Sequence, residues 1–176
     1  MISASPTTMR RTNWFDRIFP AIEDNGLLPG VIERLEGTPA RLTEKVRNLP
    51  NNGTGSPGDK WSVKKEIGHL ADLEPLWYER LHQVIDDNPN MKAADLTNRK
   101  THETPHDDKT FDQLIAEFKT ERQQFVAKLR SLQESDLDKT SSHPRLKTPM
   151  KVIDLAYFVA EHDDHHLAQI TTLTKL

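Results

Sequence analysis

From Val152 to the end of the chain, apolar residues return every three or four positions. Wound at 3.6 residues per turn, Val152, Leu155, Val159, Ile170 and Leu173 fall within one arc of about 60°. A stripe of this period specifies a helix with one face turned to a core, and a chain ending in such a helix needs other helices or a sheet to cover it. His162 and His166 lie in or just beside the same arc, one turn apart, with Cβ atoms roughly 5–6 Å from each other. Their ring nitrogens need partners, because an unpaired buried polar group costs about 1–3 kcal/mol. Hydrogen bonds could supply them, and so could one metal ion shared by both rings.

Three further segments carry the helical period. The first covers Leu28 to Leu49, with Ile32, Leu35, Leu42, Val46 and Leu49 apolar, and is interrupted at Gly37-Thr38-Pro39. That tripeptide reads as a C-cap glycine, an N-cap threonine and an N1 proline, so either two short helices meet there or one is kinked. Asn51 to Lys60 is a loop of turn formers. The second helix runs from an N-cap at Ser62 to about Asp87, with the stripe Val63, Ile67, Leu70, Leu73, Trp77, Leu81 and Val84. Pro75 deletes its bond to the Ala71 carbonyl and predicts a kink. Asn88 to Lys109 is a polar connection long enough to be a crossover. The third helix opens on the capping box Thr110-Phe111-Asp112-Gln113, continues to about Gln133, and buries Phe111, Leu114, Phe118, Phe125 and Leu129. Leu137 to Lys147 is a loop, and Thr148-Pro149 reads as the N-cap and first residue of the last helix, which runs almost to Leu176. No strand pattern and no internal repeat are evident. The expected fold is all-α: a four-helix bundle with a long crossover between its second and third helices, spanning residues 14–176 as one domain behind a flexible polar tail at 1–13.

Charge and composition narrow the function. With 24 Lys and Arg against 27 Asp and Glu, the net charge of −3 argues against nucleic-acid partners, which call for a basic surface. The chain has no cysteine, which excludes disulfides, thiolate metal ligands and a thiol nucleophile of its own. It has no apolar run of the ~18 residues that span a membrane, and its first thirteen residues lack the apolar stretch of a signal peptide. A cytoplasmic protein without membrane or nucleic-acid partners is expected.

A metal ion in a bundle needs ligands from more than one helix. His162 and His166 offer two, and His69, in Gly68-His69-Leu70-Ala71-Asp72 at the edge of the second stripe, is the candidate third. Gly68 beside it would let a neighbouring backbone approach closely. Three neutral imidazoles with an open fourth position describe a catalytic zinc arrangement, although histidine sites also suit nickel, iron or copper. Glu66, Asp72, Glu161 and Asp163 are near enough to orient ligand rings from behind. The same spacing also suits a pair of hydrogen-bonded histidines with no metal. Glu66-x-x-His69 and Asp163-x-x-His166 hint at a di-iron carboxylate site, but that site has no standard place for both His162 and His166. His165 lies about 80–100° round the helix and is expected behind the ligands or exposed. His82, His102, His106 and His143 are expected in solvent, with His102 and His106 as alternatives at the mouth of a site. Arg145 and Lys147 precede the last helix, where cations could steer an anionic substrate.

KWSVKKEIGHLADLEPLW followed some ninety residues later by DLAYFVAEHDDHHLAQI resembles the DinB/YfiT-like superfamily of four-helix-bundle metalloenzymes, over about residues 28 to 175. The likeness rests on the Trp-Ser pair opening the second helix, the GHL-x-D-x-E run, and two histidines four apart in the last helix. The resemblance implies a metal triad of His69, His162 and His166, with none of the three replaced. It also implies a divalent ion, zinc or nickel first and iron or manganese next, and a homodimer. Chemistry implied by relatives includes transfer of low-molecular-weight thiols such as bacillithiol, mycothiol or glutathione, and isomerisation of maleylpyruvate. A three-histidine ion with open positions lowers the pKa of a bound thiol or water, and the thiol would have to come as a cosubstrate. The leading expectation is a transferase that activates a small thiol. A metal-dependent hydrolase and a non-enzymatic metal-binding bundle are the alternatives.

Overall fold

A computed structural model of the chain describes residues 11–51 and 60–174. Its helices are α1 (Leu28–Glu36), α2 (Thr38–Val46), α3 (Val63–Ile85), α4 (Arg99–Glu103), α5 (Phe111–Arg130) and α6 (Val152–Leu173). The first sequence segment thus divides into α1 and α2, but the chain passes between them without leaving the right-handed helical region, since Gly37 sits at φ −75°, ψ −13°. Thr38 does not cap α2; its hydroxyl donates to Asp163 Oδ2 at 2.7 Å. Pro39 has no N–H for the Leu35 carbonyl four residues back, and Arg122 Nη1 donates to that oxygen at 3.1 Å instead. Ser62 and Thr110 cap α3 and α5 as expected, accepting from Lys65 N and Gln113 N. α3 runs uninterrupted through Pro75.

The start of α6 departs from expectation. Pro149 and Met150 form a short strand, β2, paired antiparallel with β1 at Ser141–Ser142, so Thr148-Pro149 opens no helix. The helix begins at Val152, where the Asp154 carboxylate accepts from the Lys151 N–H. Of the tail expected at 1–13, residues 1–10 lie outside the described residues. Arg11 donates to the His165 carbonyl on α6. The turn formers at 52–59 and the final residues 175–176 also lie outside the described residues.

Helix directions follow from the side chains that join them. Arg34 pairs with Glu161 and Asp164, Thr38 bonds Asp163, and Lys45 bonds Thr171, so α1–α2 and α6 run parallel. Lys64 faces Phe111 and Arg122 binds Glu74, so α3 and α5 also run parallel. Two parallel neighbours in sequence cannot be joined by a short turn. α3 is 23 residues, about 34 Å, and the crossover after it must return that length before α5 starts. This return carries α4 and lies against α3.

Two apolar clusters fill the bundle. One takes Leu35, Trp77, Leu81, Phe125, Leu155 and Val159; the other takes Leu42, Ile67, Leu70, Phe118, Leu167 and Ile170. Every rod of the bundle crosses from one cluster to the other through a polar layer. There Arg122, 1% exposed, grips Glu74 with Nε and Nη2 and Asp163 with Nη1 and Nη2 at 2.5–3.0 Å. Burial, and the second carboxylate beside it, push Glu74 up to about 7 against the pull of Arg122. The three candidate metal ligands lie beside this layer.

Candidate metal centre

His69 comes from the second turn of α3, and His162 and His166 come from successive turns of α6. All three are buried, and one ring nitrogen of each lies within 4.8 Å of the others. His162 Nε2 and His166 Nε2 face each other at 3.1 Å. The remaining ring nitrogens decide which lone pairs are free. His166 Nδ1 meets Glu66 Oε2 at 2.5 Å. His69 Nδ1 lies 3.0 Å from the Thr101 hydroxyl, which itself donates to Asp72 Oδ2 at 2.9 Å. Because Thr101 gives its proton to Asp72, it accepts from His69, which places the His69 proton on Nδ1 and leaves Nε2 as a lone pair. His162 Nδ1 is buried with no partner among the described residues.

Electrostatics keep these rings neutral. Burial, followed by the neighbouring imidazoles, holds His69 and His162 far below the ordinary histidine value, and burial brings His166 down to about 4. Burial pushes Glu66 up to about 8, with Arg11 pulling the other way. Asp72 stays below the usual carboxylate value: burial opposes this, and hydrogen bonds from His106 and Thr101 outweigh it. Neutral imidazoles with one nitrogen each converging on one point are the donor set a divalent ion requires. His162 Nε2 and His166 Nε2, 3.1 Å apart, need a proton or a cation between them. The residues therefore fit a metal.

Of the four acidic residues expected behind the ligands, two take that role. Glu66 holds His166 directly, and Asp72 holds His69 through Thr101. Asp163 is taken by Arg122 and Thr38, and Glu161 by Arg17 and Arg34, so neither reaches a ligand ring. With Asp163 so occupied, its half of the di-iron arrangement falls away. His106, expected in solvent, is buried, and its Nε2 bonds Asp72 Oδ2 at 2.9 Å. Its ring packs on Gly68, where an added Cβ would lie 2.3 Å from Nδ1; the close approach there is a side chain and not the expected backbone. His143 is buried too. His102 is exposed, edge-on to Trp61 at 5.7 Å, and His82 packs on Tyr78 away from the site. His165 is half-buried at the rim.

A cavity of about 350 Å³ opens onto the three rings. Trp61, just before the N-cap of α3, lies tilted 4.7 Å from His69 and stacked 6.4 Å from His166. Trp77 and Trp14 stand 5.5 and 5.1 Å from His162. Trp14 belongs to a single helical turn, Trp14–Asp16, so the segment before the bundle closes one side of the site. Arg80, His143 and Arg145 line the cavity as well, whereas Lys147 is exposed and outside it. Of the cavity's tryptophans only Trp77 lies on a stripe in the sequence, and nothing there marks Arg80; a shared wall between residues this distant has no local signal.

The model of the DinB superfamily matches residues 34–170. The chain belongs to the DinB superfamily. Proteins from Bacillus cereus and from Bacillus thuringiensis subsp. konkukian, provisionally named metal-dependent hydrolases, are 26% identical to it over 147 residues, which cover 82% of this chain and 83% of theirs. YfiT from Bacillus subtilis, described as a probable metal-dependent hydrolase with an unusual four-helix bundle topology, matches the fold with a TM-score of 0.73. It is 23% identical, over 88% of this chain and 89% of YfiT. The all-α bundle expected from the sequence is the fold observed, and no helix among the described residues is long and apolar enough to cross a membrane.

Proposed function

We propose that this chain is a metal-dependent enzyme whose divalent ion is held by His69, His162 and His166, and whose nucleophile is brought in from outside. One observation carries the reading: one ring nitrogen from each of three buried imidazoles converges, and no fourth His, Asp or Glu joins them among the described residues. A structural site closes its coordination with protein ligands, whereas a catalytic one keeps a position for water or a reactant. Here that position faces the cavity.

When bound, the ion supplies Lewis acidity, which lowers the pKa of a small thiol or water and polarises an electrophile. The chain does the rest. With the ion bound, Glu66 would accept from Nδ1 of His166 as Thr101, tied to Asp72, accepts from Nδ1 of His69, which fixes both rings with Nε2 presented. Trp61, Trp77 and Trp14 exclude bulk water and shape an apolar chamber. With no cysteine in the chain, a thiol nucleophile is a cosubstrate.

A low-molecular-weight thiol is the first choice, on the room in the cavity and on the resemblance noted in the sequence. The names of the Bacillus relatives favour water, hence hydrolysis, as the second reading. A screen of small electrophiles and esters against metal-loaded protein, run with and without added thiols, separates the two. Turnover that requires thiol supports transfer, and turnover without it supports hydrolysis. Equal turnover before and after chelation contradicts both.

A further inference from the structure

Two arginines line the same cavity as the histidines, and among the described residues neither forms an ion pair. Arg80, 2% exposed, donates Nε to the Lys92 carbonyl at 2.9 Å, and its guanidinium lies 5.3 Å over Trp77. Among the described residues, Arg145 Nη2 is buried without a partner, and Nη1 reaches only the Phe15 carbonyl, at 3.5 Å. Burial, and for Arg80 also the neighbouring Arg145, lowers the pKa of both guanidinium groups, and no carboxylate offsets this. Asp95, the one carboxylate among the lining residues, accepts from Thr97 N, the Thr97 hydroxyl and Arg99 N within its own turn. Guanidinium groups so placed and left without a counter-charge are costly, and their complement is an anion.

His143 sharpens the assignment. Its Nδ1 accepts from the backbone N–H groups of Arg145 and Leu146, both at 3.2 Å, so the ring proton sits on Nε2. Arg80 Nη1 lies 3.3 Å from that Nε2. Two N–H groups therefore stand side by side with no acceptor between them among the described residues, which is the arrangement that two oxygens of one oxyanion satisfy. Trp77 connects this wall to the metal ligands, with its ring 5.5 Å from His162 and beneath Arg80.

We propose that Arg80, His143 and Arg145 form an oxyanion subsite, which holds the carboxylate or phosphate group of a substrate whose reacting end lies one indole away at the three histidines. The position of the reacting end rests on the metal-centre reading above; the oxyanion subsite does not. Apolar side chains between the two ends, among them Leu73, Trp77 and Phe158, call for an apolar body, so the substrate class is a small amphiphilic oxyanion.

The test uses full-length protein after chelation, where an acid cannot bind through the metal, with 3-phenylpropanoate, phenyl phosphate and neutral 3-phenylpropanamide as calorimetric probes. At least one anion should bind about tenfold or more tighter than the amide, as charge-assisted hydrogen bonds require; the tighter anion identifies the head group. Arg145→Gln, at a half-buried position, should remove that preference while still retaining metal, and Arg80→Gln should do the same if it folds. Equal binding of anions and amide, no anion binding, or a preference that survives Arg145→Gln overturns the subsite. Loss of metal retention in the wild type would overturn the metal reading alone.

Discussion

At the scale of single residues, the nitrogens that carry protons decide what each imidazole can bind. His166 is held by Glu66 on one side and faces His162 on the other, so its loss removes a ligand without removing a core contact shared by both apolar clusters. His166→Ala should abolish stoichiometric metal retention and leave the helical circular dichroism nearly unchanged; a variant that still retains one ion would point to another ligand set. His143 gives a pH prediction away from the metal. Burial, then Arg80 and Arg145, bring it down to about 3, below the ordinary value of about 6.5 that the unfolded chain keeps. The unfolded state therefore takes up the proton first, and stability is lost as pH falls below about 6.5. Between pH 7 and pH 5, wild type should lose on the order of 1 kcal/mol more unfolding free energy than His143→Asn, which keeps an acceptor where Nδ1 was. Parallel losses in urea titrations of the two proteins would contradict this.

At the scale of elements, Gly68 shows how α3 and the crossover depend on each other. Alanine in a helix interior normally gains about 0.5–1 kcal/mol over glycine, but here its Cβ meets the His106 ring at 2.3 Å, and overpacking costs about 1–3 kcal/mol. The clash should win. Gly68→Ala should lower stability and, by displacing His106 from Asp72, weaken metal affinity about tenfold or more; a stabilised variant with unchanged affinity would show that the crossover can give way. In the polar layer, Arg122→Ala leaves Glu74 and Asp163 buried without their cation and should cost about 3–5 kcal/mol in denaturant unfolding. A loss below about 1 kcal/mol would contradict the reading of that layer. The helices were legible from the 3.6-residue period and from Ser62 and Thr110, because caps and stripes are local. The interior role of Arg122 was not, because a charge between two stripes looks solvated until two carboxylates from other helices are seen around it. The β1–β2 pair is too short to show alternation, and it takes Pro149 out of the helix start that its position after Thr148 suggested. His69, His162 and His166 could be named because each lies on or beside a stripe, while the burial of His106 and His143 depends on chain distant in sequence.

At the scale of the molecule, the parallel pairing of α3 with α5 forces the long crossover, and the crossover delivers Thr101 and His106 to the outer face of α3 behind His69. The topology thus builds the support for one candidate ligand, while α6 contributes the other two. Apolar clusters on both sides of the polar layer hold the bundle independently of any ion, so chelation should leave helicity intact. The most direct test is elemental analysis of purified wild-type protein combined with X-ray absorption at the edge of the metal found. The account predicts about one divalent ion per chain with three imidazole nitrogens, at about 2.0–2.1 Å if it is zinc, and at least one non-protein donor. Protein that takes up no stoichiometric divalent ion, or an ion whose ligand shell contains no imidazole, would contradict it.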